Sequence, residues 1–144
     1  GAEVDEVAAF IPPTPTPLPF PVVGNEIDTV MAALSEVEGD AARGEALFLG
    51  QQNGPDGLQL GCQACHSIDG SVLVGPSMQG FGDRFAGYGS QFESLDWYIA
   101  DSITRPEDFK VPGFEAVVMP DNFGTSRLDA QSLADLIAYV KTHQ

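Results

Sequence analysis

Two cysteines and a histidine stand close together near the middle of the chain. Cys62 and Cys65 are separated by two residues and are the only cysteines in the sequence, and His66 follows directly. This C-x-x-C-H spacing is the pattern of covalent haem attachment. The two thiols add to vinyl groups on adjacent pyrrole rings, and the histidine is then carried beneath the iron. The motif predicts one covalently bound haem, with His66 as an iron ligand.

Two other kinds of site use the same residue types. A structural zinc site needs four ligands from Cys or His, and beyond the motif the sequence offers only His143, close to the C-terminus. A redox-active dithiol is expected in a βαβ context, which the sequence does not show. Covalent haem binding is therefore the favoured interpretation, with zinc binding and dithiol chemistry as the alternatives.

A haem iron in an electron carrier takes a second axial ligand, for which the sequence offers four candidates. Met78 follows His66 by only twelve residues, a short chain to round the ring edge, and is better explained as an apolar wall residue. Met31 fits the apolar stripe of a helix, and His143 lies where chains fray. Met119, in an irregular stretch between two predicted helices, is the favoured ligand. The alternative is a core methionine and a vacant or differently filled sixth position.

Three helices are predicted in the last three quarters of the chain. The first follows Asp40, a favourable N-cap residue, and reaches about Leu49. The second runs from about Leu95 to Thr104 and is stopped by Pro106. Asp129 can cap the third, whose apolar stripe at helical spacing consists of Leu133, Leu136, Ile137 and Val140. Because strand alternation is missing, we predict an all-α fold class.

Glycine-rich segments separate these helices. A long polar loop, Gln51–Gly61, leads into the cysteine motif. After the motif, Gly75 and Pro76 break the chain, and the sequence predicts irregular structure as far as Ser90.

The N-terminal part of the chain differs in composition. Residues 1–25 are rich in proline and predict an extended, semi-rigid spacer that tethers the domain to an anchor or a larger complex. A disordered tail and a strap on another subunit are the alternatives. Residues 26–38 carry apolar residues at helical spacing, which predicts a short helix or connector that packs on the domain or on a partner. Residues 39–144 form the main domain.

The charge balance excludes one class of partner. The chain has 21 acidic and 6 basic residues, a formal net charge of −15. Such a field repels nucleic acid. It steers the protein toward a basic patch on a protein partner, although the acidity can also serve solubility alone.

From about Gly39 to His143 the sequence resembles a class I cytochrome c domain, with the C-x-x-C-H motif as its most specific feature. The resemblance implies helices around one haem c and an axial methionine at Met119. It implies that the Pro76 carbonyl accepts the Nδ1–H of the ligand histidine. It also implies that Arg84 pairs with a haem propionate; the alternative for Arg84 is a surface cation near Asp83.

The same resemblance implies a function. A haem with two strong protein ligands, His66 and Met119, leaves no site for substrate, so single-electron transfer is expected and enzymatic activity is not. With the tether, this favours a domain or subunit of a respiratory or photosynthetic electron-transport complex that meets redox protein partners. The alternative is a haem enzyme or gas sensor with an open sixth position. Haem attachment in this family implies a periplasmic or other extracytoplasmic location, with possible membrane association through the tether.

Overall fold

The computed structural model describes residues 20–88 and 91–143, and the regular elements within these ranges are all helical. Along the chain they comprise the α-helices α1 Ile27–Leu34, α2 Ala41–Phe48, α3 Cys62–Cys65, α4 Phe81–Tyr88, α5 Leu95–Thr104 and α6 Ala130–Val140. A π-helical turn, Phe123–Arg127, precedes α6, and a 3₁₀ turn, Lys141–His143, follows it. The predicted all-α fold class is confirmed.

The crossing of α2 and α6 is the most extensive helix contact in this part of the chain. A β-carbon added at Gly44 would overlap the Asp135 carbonyl oxygen and would lie 2.8 Å from Cβ of Tyr139. The two backbones therefore approach each other where α2 has no side chain. One turn later, the rings of Phe48 and Tyr139 pack with their centroids 5.4 Å apart.

A buried carboxylate also fastens α2 to α6. The Asp135 side chain accepts hydrogen bonds from the Asp40 backbone N–H at 2.8 Å and from Arg43 Nε at 3.0 Å. Gln131 Nε2 donates to the same carboxylate at 2.9 Å. A buried charge that keeps several hydrogen bonds is tolerated in a core. Asp135 thus connects the start of α2 to the middle of α6.

Side-chain caps set where three helices begin, as the sequence predicts for two of them. Asp40 accepts from the Arg43 N–H at 3.0 Å, and Asp129 accepts from the Ser132 N–H at 2.8 Å. Ser94 caps α5 in the same way. Each cap satisfies an N–H group that has no partner inside its helix.

The segment before α2 packs on the rest of the domain. The Val23 N–H donates to the Leu128 carbonyl at 2.9 Å, and the Gly24 N–H donates to the Gly124 carbonyl at 2.7 Å. Helix α1 then lies against α5 and α6, with Val30 fully buried. Residues 26–38 therefore include a helix that packs on this domain.

The predicted proline-rich spacer, residues 1–25, falls largely on residues 1–19, which lie outside the described residues. Among the described helices, none has the length and apolar character needed to span a membrane.

One sequence prediction was wrong. The stretch up to Ser90 was expected to be irregular, but α4 occupies Phe81–Tyr88 within it. Phe81, Phe85 and Tyr88 recur at helical spacing and meet Tyr98 of α5, with ring centroids between 5.3 and 5.8 Å away. Tertiary packing of this aromatic face outweighs the low helix propensity of the two glycines in the helix.

Candidate functional site

The two cysteines lie on a single turn of helix. Helix α3 starts after Gly61, whose φ of 81° is in the left-handed region that glycine adopts readily. Cys62 and Cys65 are three residues apart, so their side chains lie on the same face of the turn. His66 has extended backbone angles, φ −118° and ψ 115°, and ends the helix. The C-x-x-C-H segment therefore presents two half-buried thiols and an imidazole within one turn.

The imidazole of His66 is held on one side by backbone. Its Nδ1 lies 2.7 Å from the Pro76 carbonyl oxygen, which makes Nδ1 the N–H donor and leaves Nε2 with its lone pair. The Gly75 N–H donates to the Cys65 carbonyl at 2.8 Å and closes the loop onto the motif. Burial lowers the pKa of His66, so the neutral ring is favoured. A neutral imidazole oriented in this way is suited to bind a metal ion.

A cavity of about 220 Å³ opens beside this imidazole. Both cysteines and His66 contribute to its wall, as do Met119 and Arg84. The rest of the wall is predominantly apolar and comes from α2, α4, α5, α6, the segment between α5 and α6, and the loops on either side of α3. It includes Phe48, Leu60, Met78, Phe81, Ile99, Phe114, Phe123, Leu136 and Val140. The predicted site residues of the motif are thus brought together around one apolar space.

Met119 reaches the cavity from the segment between α5 and the π-helical turn. This segment turns twice: the Phe114 N–H donates to the Val111 carbonyl at 2.9 Å, and the Val117 N–H donates to the Phe114 carbonyl at 3.1 Å. Met119 follows these turns and is half-buried against the core. Met119 therefore lies in the same wall as His66 and both cysteines.

Of the other candidate axial ligands, Met78 lies in the same cavity wall, whereas Met31 and His143 lie outside it. Met78 is buried in the cavity wall, as expected for an apolar wall residue, and its N–H donates to the Ser67 carbonyl at 2.8 Å. Met31 packs from α1 against the core, outside the cavity lining. The His143 ring packs edge-on against Tyr139, with centroids 4.8 Å apart, and is not part of the lining either.

Arg84 is half-buried at the cavity rather than exposed beside Asp83. Its Nη1 donates to the Gln79 carbonyl at 2.9 Å, and its Nη2 donates to the Ser77 carbonyl. Its Nε is buried and has no hydrogen-bond partner among the described residues. A buried N–H without an acceptor is rare in native proteins. A carboxylate bound in the cavity would satisfy this guanidinium.

The cysteines do not have the properties of the alternative sites. Burial raises the pKa of the Cys62 thiol to about 11, which keeps the thiol protonated at neutral pH. Thiol–disulfide exchange needs the thiolate, and a structural zinc site needs four ligands from Cys or His. Nowhere in residues 20–88 and 91–143 do three or more His, Cys, Asp or Glu side chains cluster to hold a metal ion. The residues instead fit haem, since two thiols, an imidazole and a thioether surround an apolar space beside an unsatisfied guanidinium.

Sequence reasoning missed one contact that shapes this cavity. Arg127 Nε donates to the Asp56 carboxylate at 2.8 Å, and Arg127 Nη2 donates to the Gln59 carbonyl at 2.8 Å. Both charged side chains are mostly buried, with 19% and 15% exposed. Arg127 thereby holds the long loop beside the π-helical turn, and the end of this loop, Leu60 and Gly61, lines the cavity. No local pattern in the sequence indicates this contact, because Asp56 and Arg127 are 71 residues apart.

The protein is helical, and its C-x-x-C-H motif lies in the wall of an apolar cavity. Comparison with known protein families identifies the family to which the chain belongs. A family model described as Cytochrome c matches residues 41–144, well over half of the chain. The chain therefore belongs to the cytochrome c family. Its cofactor is haem c, bound covalently, and its activity is haem-based electron transfer. No curated protein matches the sequence.

Proposed function

We propose that this protein transfers single electrons through one haem c that His66 and Met119 hold by its iron. The observation that carries this proposal is the shared cavity, since both side chains lie in the wall that also contains both cysteines. Haem c supplies a one-electron couple at its iron. With two protein ligands on the iron, no position remains for substrate or oxygen. The protein then acts as an electron carrier and not as an enzyme.

The protein residues set the reduction potential. Met119 supplies a soft thioether, and a Met/His ligand pair gives a higher potential than two imidazoles. The apolar wall acts in the same direction, because added positive charge is costly to bury. The Pro76 carbonyl fixes the ring of His66 through Nδ1 and increases the basicity of the coordinating nitrogen. Arg84 supplies its unsatisfied Nε–H to a haem propionate.

The partner is a redox protein with a basic docking patch. Val74 and Val118 line the cavity and are also exposed, with 54% and 76% of their surface accessible, so they mark its rim. The apolar rim would contact an apolar patch on the partner. The net charge of −15 would attract Lys and Arg side chains around that patch. A steered encounter of this kind slows as ionic strength rises.

We further propose that the protein works outside the cytoplasm, as a tethered domain or subunit of a respiratory or photosynthetic complex. The proline-rich composition of residues 1–25 supports a spacer. The backbone hydrogen bonds of Val23 and Gly24 support a fixed point from which this spacer leaves the domain. Deletion of residues 1–19 tests the tether: complex association is expected to disappear while the haem potential stays unchanged.

The ligand assignment is tested by the absorption spectrum of the haem-loaded protein, oxidised and reduced, with and without carbon monoxide. The proposal is supported if the reduced spectrum is low-spin and does not change when carbon monoxide is added. It is further supported if the oxidised spectrum shows the weak far-red band of methionine-ligated ferric iron. Met119→Ala is expected to remove that band, while Met78→Ala, in the same wall, is expected to retain it. A wild-type spectrum that is high-spin and responds to carbon monoxide would instead indicate an open site and favour a haem enzyme or gas sensor.

A further inference from the structure

The Lys110 side chain contacts the segment that carries Met119. Its Nζ donates to the Val117 carbonyl at 2.5 Å and pairs with the Glu107 carboxylate at 3.0 Å. The Lys110 side chain is only 23% exposed and forms part of the cavity wall. The ammonium thus binds a backbone carbonyl two residues before Met119.

The bond from Lys110 is the one that ties this segment to the chain before it. Among residues 111–120, the other described hydrogen bonds are local: the two turns ending at Phe114 and Val117, and a bond from the Gly113 N–H to Glu115. Local bonds shape the turns, but they do not join the segment to the part of the chain that precedes it. The bond between Lys110 and Val117 spans seven residues and restricts that movement.

The backbone at Lys110 is held in place by the residues that precede it. The preceding residue, Phe109, packs into the aromatic cluster between α4 and α5, with centroids 5.0 Å from Tyr88 and 5.3 Å from Phe92. The Asp108 N–H donates to the Arg105 carbonyl at 2.9 Å just after α5. Lys110 therefore connects a fixed part of the core to the turn before Met119.

We propose that Lys110 is a positioning residue for Met119, an inference that rests on the proposed role of Met119 as an iron ligand. A thioether is a weak donor, so its occupancy of the iron depends on how closely the segment holds it in place. A charge-assisted hydrogen bond in a partly buried site is stronger than one between neutral groups. Without it, the segment moves more freely and Met119 competes less well with external ligands.

The test is imidazole binding to the oxidised, haem-loaded protein. Lys110→Met keeps the apolar stem and removes the ammonium, and we expect imidazole affinity to rise about tenfold, the size expected for one lost charge-assisted hydrogen bond. The far-red band should weaken in parallel. Lys110→Arg restores a cationic donor and is expected to recover most of the wild-type behaviour. Glu107→Gln removes only the ion pair and should stay close to wild type.

Two results would overturn the proposal. One is a Lys110→Met protein with wild-type imidazole affinity, and the other is a Glu107→Gln protein as affected as Lys110→Met, which would assign the effect to the ion pair. If Lys110→Met fails to fold, Lys110→Gln replaces the charge-assisted hydrogen bond by a neutral one. We then expect a smaller rise in imidazole affinity, and wild-type affinity in this variant would also overturn the proposal.

Amide hydrogen exchange separates this proposal from the ligand assignment. In Lys110→Met, the Phe114 and Val117 amides, whose hydrogen bonds close the two turns of this segment, should exchange about tenfold faster. Unchanged exchange overturns the positioning role. If Met119→Ala leaves the far-red band intact, the ligand assignment fails, while faster exchange in Lys110→Met would still show that Lys110 restrains the segment.

Discussion

Gly75 lies against the face of His66: a β-carbon at Gly75 would be 2.6 Å from Cε1 of the imidazole. The ring therefore occupies the space that any other residue at this position would fill. The Pro76 carbonyl, one residue later, takes the Nδ1–H of the same ring. Two consecutive residues thus set both the position and the rotation of the imidazole.

We expect Gly75→Ala to displace His66. Overpacking at a well-packed site costs about 1–3 kcal/mol, and the ring must shift to accommodate the methyl group. The haem-loaded variant should show a weaker low-spin spectrum and a lower melting temperature than the wild type. Gly87→Ala is the matched control, because a β-carbon there meets nothing within 4 Å in α4. An unchanged spectrum in Gly75→Ala would contradict the packing role.

Gly44→Ala should destabilise the domain at a position that is not itself part of the cavity wall. The added β-carbon would overlap the Asp135 carbonyl oxygen, so α2 and α6 must separate. The expected loss is about 3 kcal/mol in the free energy of unfolding, at the upper end for overpacking. Urea unfolding measures it, with Gly87→Ala again as the control. A loss under about 0.5 kcal/mol, the range of neutral surface changes, would show that the crossing adapts.

Asp101 should make stability fall as the pH rises. Its side chain is 1% exposed, and burial raises its pKa to about 7, with Asp108 acting in the same direction and Arg105 opposing. The folded protein therefore holds this proton more tightly than the unfolded chain. The stability contribution is full below pH of about 4, the unfolded pKa, and is lost as the pH rises through 7.

Asp101→Asn removes this titration. We expect the variant to be more stable than the wild type at pH 8, with an advantage that shrinks toward pH 5. Urea unfolding at both pH values measures the difference. Asp69→Asn is the control. Hydrogen bonds from Ser71 lower the pKa of this exposed carboxylate, so we expect its replacement to give no increase in stability at pH 8. A stability gain in Asp101→Asn that is independent of pH would refute the assignment.

The ion pair between Arg127 and Asp56 should contribute measurably to stability. Burial opposes ionisation of Asp56, but hydrogen bonds from Arg127 and Leu58 outweigh it and lower its pKa. The contribution is therefore present above the ordinary Asp pKa and is lost as the pH falls through the lowered value. In a double-mutant cycle, urea unfolding of Arg127→Gln, Asp56→Asn and the double variant gives the coupling between the two side chains. We expect this coupling to be about 2 kcal/mol in the free energy of unfolding at pH 7. A coupling near zero would show that the loop is held by packing alone.

What the sequence predicted correctly is encoded locally. The spacing of Cys62, Cys65 and His66 follows from one turn of helix, and the caps at Asp40 and Asp129 act within three residues. Periodicity and caps were therefore enough to place α2, α5 and α6 and to predict an all-α fold.

What the sequence did not reveal depends on distant contacts. Asp56 and Arg127 are 71 residues apart, and no local pattern connects them. Helix α4 was missed because Gly82 and Gly87 weaken its propensity, while its stabilising contacts come from Tyr98 of another helix. The role of Lys110 likewise depends on how the chain folds back toward Val117.

The pairing of Val23 with Leu128 and of Gly24 with Gly124 also determines how mechanical load enters the domain. Tension on the chain upstream of Val23 is transmitted first to these two backbone hydrogen bonds. They attach to the π-helical turn and its end, just after Met119, and not to the crossing of α2 and α6. A pull on the N-terminal segment is therefore applied first to the π-helical turn, which follows Met119 in the chain and whose Arg127 side chain holds the loop before the cysteine motif.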